Sequence, residues 1–250
     1  MNNLSPKQRE QLQEFNSCFI EYPAVGKIFE DFDRLRLNKS LGGEPQCMLI
    51  TGDTGVGKTA LVNRYQAKFN HNISNGFVQV PILVSRIPPK PSLESTIVEL
   101  LKSLGQFGSK DRKLRNNDQN LTTSLVETLK NSNVELIIIC EFQELIEFKS
   151  GKTRSQIANR LKYINEDTGI PIVLVGMPWA SKIAEEPQWN SRLMIKRHLP
   201  YFKLSTGIQE FVRLLKGFAV RMPFDEVPKL EAENIAIALF SVSRGCFRIL

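Results

Sequence analysis

The sequence predicts an α/β protein with a parallel β-sheet covered by helices on both faces. Three observations predict it. Short apolar runs recur at Cys47–Gly52, Phe77–Ser85, Val134–Cys140 and Ile170–Gly176, and strands buried on both faces read as near-continuous runs of this kind. Segments with helical periodicity alternate with these runs, as crossover connections between parallel strands require. A glycine-rich stretch, Gly52 to Thr59, joins the first run to the helix that follows it. The 250 residues suit one sizeable domain, or a large domain with a small appendage.

Residues 1–45 read as a polar, helical lead-in, with apolar positions at Phe19, Ile20, Ala24, Ile28, Phe29, Phe32 and Leu35, and Glu44-Pro45 closes it. Cys47–Gly52 is too short for a globular helix and reads as a buried strand. Lys58–Phe69 follows as a helix. Phe77–Ser85, rich in β-branched residues, reads as a second strand, and Pro88, Pro89 and Pro91 break the chain after it. Ser92, with Glu94 and Glu99 in an apolar-periodic stretch, opens a helix to about Leu104. Residues 105–120 form a polar, basic loop before a helix over Leu121–Leu129. Val134–Cys140 is the most strand-like run. Arg154–Asp167 is a helix, Ile170–Gly176 a buried strand, and a weaker strand is expected near Tyr201–Leu204. Helices follow at about Gly207–Phe218 and Glu231–Ser241. The chain thus divides into a lead-in (1–45), a core (46–204) and a helical C-terminal segment (205–250). It contains no internal repeat and no low-complexity segment.

Hydrophobic residues make up 42% and charged residues 24%, which excludes wholesale disorder. No apolar run reaches the roughly 18–20 residues that span a bilayer, and the polar N-terminus lacks a signal-peptide core. A cytoplasmic location, with no membrane partner, is expected. The four cysteines (Cys18, Cys47, Cys140, Cys246) form no CxxC pair, and the histidines number two. A zinc site is not expected, and reduced thiols are. The net charge of +7 favours a polyanionic partner only weakly.

Gly52-Asp53-Thr54-Gly55-Val56-Gly57-Lys58-Thr59 fits GxxxxGK[ST] and lies between a strand and a helix, the context that gives the motif its meaning. Its glycines let backbone N–H groups approach phosphate, and the helix N-terminus adds partial positive charge. Lys58 would reach the β- and γ-phosphates and Thr59 would hold Mg²⁺. With Ala60 beyond them, these residues are the expected binding set for ATP or GTP with Mg²⁺. No NKxD-type guanine-recognition sequence occurs.

P-loop enzymes usually place an Asp at the end of a neighbouring strand to organise Mg²⁺. Here Val134–Ile139 runs into Cys140-Glu141. Glu141 fits the residue that polarises the attacking water. Cys140 stands where the Asp is expected, and a neutral thiol is a poor ligand for a hard cation. Glu144, three residues past Glu141, is an alternative carboxylate, but reads more readily as a solvated surface charge.

GDTGVGKTA, LIIICEFQELIEF, and VLVGMPWA followed by a basic stretch together resemble the TniB/TnsC group of transposition AAA+ ATPases, as does FIEYPAVGKIFEDFDRL ahead of the P-loop. The resemblance covers about Phe19 to Leu250. It implies a P-loop NTPase (AAA+) three-layer fold with a short helical C-terminal lid. It also implies a bacterial transposition regulator that binds ATP and assembles as a ring or helical filament on double-stranded DNA. Such proteins connect a target selector, such as a TniQ-like protein, to the transposase, and some work with CRISPR effectors. Carried over by position, Arg192 matches the arginine finger that reaches a neighbouring subunit's γ-phosphate, with Arg197 a second candidate. Arg248, in Gly245-Cys246-Phe247-Arg248, resembles the sensor-2 phosphate contact. Three departures bear on hydrolysis more than on binding. They are Cys140, Met177 in place of a polar sensor-1 residue, and a chain that stops within the expected sensor-2 helix.

In a ring, loops after the strands would face the central pore. Lys90, Lys110, Arg112, Lys113 and Arg115 are the cations expected to contact DNA phosphates there, without a sequence code. Asn116, Asn117, Asn120 and Thr122 could add neutral contacts. The same cations could instead form a solvated loop. Phe19, Ile20, Tyr22 and Pro23 are candidates to cover the adenine, or plain core. Two other readings stay open: a nucleotide-gated assembly module with little hydrolysis, and an unrelated P-loop ATPase.

Overall fold

A computed structural model describes residues 5–69, 73–74, 77–105, 118–147 and 151–249. In chain order its elements are α1 (Pro6–Asn16), α2 (Pro23–Ser40), β1 (Cys47–Gly52), α3 (Lys58–Gln66), β2 (Ile73–Ser74), β3 (Phe77–Val78), β4 (Ile82–Arg86), α4 (Leu93–Ser103) and α5 (Asp118–Asn131). There follow β5 (Leu136–Cys140), α6 (Gln143–Glu147), α7 (Gly151–Thr168), β6 (Ile172–Gly176), a 3-10 helix (Pro178–Glu185), α8 (Pro187–Asn190), β7 (Leu193–Leu199), α9 (Leu204–Arg221) and α10 (Glu233–Ser243).

Five strands form one sheet in the order β4-β5-β6-β1-β7, every pairing parallel. Successive side chains of a strand point to opposite faces, and β1 shows the result. Cys47 and Leu49 join the apolar layer beneath α4, α5 and α7, while Met48 and Ile50 join the layer beneath α2 and α3. This is the expected three-layer α/β arrangement. A third, smaller cluster lies outside the sheet. Phe211, Leu215 and Ala236 of α9 and α10 pack there with Phe202, Leu239 and Phe240. Among the described residues no helix is long and apolar enough to cross a membrane.

Local chemistry explains the boundaries. Ser5 and Gln8 close a capping box at α1, and Ser92 and Ser95 close one at α4, each satisfying otherwise orphaned N–H groups. Two expectations are corrected. Phe77–Ser85 is not one strand. β3 pairs antiparallel with β2, and the sheet strand begins only at Ile82. Pro81, which has no N–H to give a ladder, separates them, and its carbonyl accepts from Glu135 and Leu136. Nor is Tyr201–Leu204 a strand, since Leu204 opens α9. The fifth strand is β7, and the apolar pattern misses it because it is an edge strand. Only Leu193, Ile195 and Leu199 are buried, and Lys196, Arg197 and His198 face outward.

Candidate nucleotide-binding site

β1 delivers Gly52 to the carboxyl end of the sheet between β6 and β7, where open α/β sheets bind ligands. A Cβ on Gly52 would stand 2.6 Å from the Leu199 carbonyl oxygen, so glycine lets β7 close against the start of the loop. Gly57 has a φ of 91° and caps α3 in the left-handed region, turning the chain into the helix. Lys58 then folds back. Its Nζ donates to the carbonyl oxygens of Gly52 (2.6 Å) and Asp53 (2.9 Å). Partial burial holds the Lys58 ammonium below the usual lysine range, against the opposing attraction of Glu141 and Asp53.

A cleft of about 330 Å³ opens above this loop. Thr54, Gly55, Gly57, Lys58, Thr59 and Ala60 form one wall, and Glu141, Met177, Phe247 and Arg248 face them. Of the expected binding set, Gly52 lies beneath, Val56 is buried in the layer under α2 and α3, and Asp53 holds Lys58 through its carbonyl.

Glu141 follows β5 with a φ of 54°, left-handed for a residue that has a Cβ. The turn brings its carboxylate into the cleft. Cys140 lies just below and packs against the apolar layer. Burial pushes its thiol up to about 12, with Glu141 adding and Lys58 opposing. It stays protonated at neutral pH and offers Mg²⁺ no oxygen. The donors present fit a triphosphate. They fit a magnesium ion held through Thr59 and the phosphate oxygens, without a strand carboxylate at position 140. Glu144 is not a fully solvated surface charge. Its Oε2 is buried without a hydrogen-bond partner among the described residues, and desolvation, then Glu147 and Glu141, raise its carboxyl. It does not line the cleft. Met177, at the end of β6, brings its sulfur 3.7 Å from Thr54 Oγ1 and 3.9 Å from Lys58 Nζ.

Beside the loop, Phe19, Ile20 and Tyr22 line a small apolar pocket with Val56, Leu61 and Phe247. Gly57, Ala60 and Phe247 border both this pocket and the cleft, so the two are adjacent. Pro23 is not in the lining and instead opens α2. Burial pushes the Tyr22 hydroxyl up to about 12.

The segment after α10 lies directly on the P-loop. Arg248 N donates to the Gly55 carbonyl at 3.1 Å, and the Tyr201 hydroxyl donates to the Thr54 carbonyl at 2.8 Å. A Cβ on Gly55, whose φ is 86°, would meet Cys246 Sγ at 2.6 Å. These contacts use carbonyls on the outside of the loop. Tyr201 lay outside any motif in the sequence and Phe247 unassigned within one, and only the packing brings them to the site.

Arg192 lies far from this cleft. Its carbonyl accepts from Cys47 N at the opposite end of β1, about 17 Å away at ~3.3 Å per residue. Its guanidinium pairs with Glu166, and its Nε is buried without a hydrogen-bond partner among the described residues. Arg197, on β7, pairs with Asp31 at 2.7 Å. Lys90 is exposed in the loop between β4 and α4, on the same side of the sheet as the cleft. Lys110, Arg112, Lys113, Arg115, Asn116 and Asn117 lie outside the described residues, as does the Asn120 side chain. Thr122 is no surface donor. It is buried and accepts a hydrogen bond from Arg160 at 2.7 Å.

This sheet order, with a P-loop after the interior strand β1 and a helical segment beside the nucleotide cleft, defines an AAA+ P-loop ATPase fold. The chain itself belongs to the TniB family. The family described as Bacterial TniB protein matches residues 12–204. Among solved structures the chain is similar to the Aeropyrum pernix ORC2 protein in ADPNP-ADP complexes, at 20% identity and a TM-score of 0.66, covering 94% of this chain and 63% of that one. It is similar to Drosophila ORC bound to DNA, at 15% identity and 0.58, covering 98% and 58%. A Walker-type ATPase of Pyrococcus abyssi matches at 16% identity and 0.54, covering 88% and 64%. At these identities the likeness is one of fold, and this chain spans less than two thirds of each of those chains. No curated protein matches the chain.

Proposed function

We propose that this protein is an ATP-dependent, DNA-binding regulator of transposition that assembles on target DNA and links a TniQ-like selector to the transposase. The observation that carries the reading is the cleft itself, where Lys58, Thr59, Glu141 and Arg248 converge on one triphosphate-sized space. ATP is the favoured nucleotide, with its adenine beside Phe19, Ile20 and Tyr22. Bound Mg²⁺, held by Thr59 and the phosphates, would supply charge neutralisation during phosphoryl transfer. Lys58 would leave the Gly52 and Asp53 carbonyls for phosphate, Glu141 would orient and deprotonate the attacking water, and Arg248 would contact phosphate in cis.

Arg192 cannot reach its own cleft, and in this reading it serves the cleft of the next protomer. Hydrolysis then depends on assembly, as a ring or a helical filament. Lys90, with Lys110, Arg112, Lys113 and Arg115, would contact the backbone of double-stranded DNA without reading sequence, so affinity should fall steeply with salt. A specific observation favours a second reading, a nucleotide-gated assembly module with little turnover. The Cys140 thiol is protonated and the sensor-1 position is the apolar Met177.

The deciding experiment incubates the protein with duplex DNA and ATP, ADP or a slowly hydrolysed analogue, then images it and measures phosphate release. Triphosphate-dependent assemblies on DNA are expected, with DNA-stimulated phosphate release lost in Glu141→Gln. Assemblies without any release would select the second reading. No nucleotide-dependent assembly on DNA would sink both. Lys58→Ala should lose nucleotide binding, and retained binding would refute the site.

A further inference from the structure

Glu141 holds a left-handed backbone conformation, strained for a residue with a Cβ, so its surroundings must determine it. The turn is held by the Phe142 N–H, which donates to the Val175 carbonyl at 3.0 Å, and by the Glu144 N–H, which donates to the Glu141 carbonyl at 3.0 Å, while the carboxylate is engaged by Gln143. Its side-chain Nε2 donates to Glu141 Oε2 at 2.6 Å, and its Oε1 accepts from the backbone N–H of Met177 at 3.1 Å. The Gln143 side chain is buried, at 6% exposure, where a hydrogen bond is electrostatically stronger than in water.

The two bonds fix each other. A carboxamide has one acceptor end and one donor end. Because Met177 N–H occupies the acceptor end, a flipped amide would set N–H against N–H and carbonyl against carboxylate. The donor end therefore has to face Glu141. Gly176 leaves the room this requires, since a Cβ there would stand 3.0 Å from Gln143 Oε1 and 3.2 Å from Gln143 N. The same Met177 that holds the amide places its sulfur 3.9 Å from Lys58 Nζ. One buried amide thus joins the end of β5 to the end of the neighbouring β6 along one wall of the cleft.

We propose that Gln143 is the positioning residue for Glu141. It engages Oε2, leaves Oε1 to take the proton of the attacking water, and ties the carboxylate's aim to the backbone of β6. The proposal rests on Glu141 being the hydrolytic carboxylate. Gln143 itself does not line the cleft.

Gln143→Met keeps the side-chain length and removes both hydrogen bonds. With duplex DNA present, kcat should fall about tenfold or more, equivalent to roughly 1.4 kcal/mol, while KM for ATP and Kd for a slowly hydrolysed analogue stay within about twofold. In a Glu141→Gln background, Gln143→Met should lower residual turnover no further, because it acts through the missing carboxylate. Equal losses in binding and turnover, or an undiminished effect in that background, would overturn the proposal. Glu141→Gln alone tests the parent reading, so the two failures are distinguishable. A second measurement needs no turnover. In the NMR spectrum of the nucleotide-free protein, the Gln143 side-chain amide protons should be protected from exchange and should shift in Glu141→Gln but not in Glu147→Gln. Amide protons that exchange as freely as those of an exposed glutamine would overturn it.

Discussion

At position 140 a single sulfur replaces the expected carboxylate, and its environment explains how the chain tolerates it. The thiol faces the apolar layer beneath α2 and α3, and burial keeps it neutral. An aspartate there would be costly without a counter-charge. Lys58, close enough to bias the thiol's titration, supplies part of one, and a bound magnesium ion would supply more. Cys140→Asp should therefore lower the Mg²⁺ concentration that half-saturates ATP binding, by about tenfold if one direct oxygen ligand is gained, while weakening the fold without Mg²⁺. Titrating Mg²⁺ at fixed ATP checks this. An unchanged midpoint would mean that position 140 does not face the metal.

Among the elements, α2 and α3 matter beyond their apolar stripes. Tyr65 of α3 is fully buried between Phe29 and Phe32, yet its hydroxyl donates to Asp33 at 2.6 Å and accepts from Arg36. Arg36 in turn pairs with Glu135, just before β5. This network ties the lead-in helix, the helix after the P-loop and the strand leading to Glu141. Tyr65→Phe keeps the ring packing and strands the partners, so it should cost about 1–2 kcal/mol. A fall of a few degrees in Tm should follow, with nucleotide Kd little changed. An unaltered Tm would show that the network adds nothing net. The periodicity of α2 and α3 was legible in sequence, because apolar residues at helical spacing have one place to go. The Tyr65–Arg36–Glu135 link was not, since its members lie far apart in the chain and carry no motif.

For the whole molecule the informative distance is the length of β1. The P-loop and Arg192 sit at opposite ends of it, so the proposed finger role requires the cleft of a neighbouring protomer. Arg192→Ala and Glu141→Gln should each be nearly inactive alone. Mixed in equal amounts on DNA, random pairing should return about a quarter of wild-type turnover, through junctions that set an intact Glu141 against an intact Arg192. Mixtures no more active than their components would refute a finger supplied by the neighbour. The same scale explains which site residues sequence could find. Gly52 to Thr59 and Glu141 follow strands in contiguous motifs. Gln143 and Phe247 lay unassigned within motifs and Tyr201 outside any, and their contacts became visible only when the chain after α10, the loop after β7 and the end of β6 met at one cleft.

The sequence by itself determined the α/β class, the strand that carries the P-loop, the loop's chemistry and the family. These rest on local signals: apolar runs, glycine spacing and a lysine at a helix start. Tertiary structure decided the rest. It made polar β7 the edge strand, divided Phe77–Ser85 at Pro81, took Thr122 into the interior, and set the Glu141 carboxylate against the Gln143 amide. Those outcomes depend on which partners converge in space, and no stretch of chain records its partners when they come from the far side of the fold.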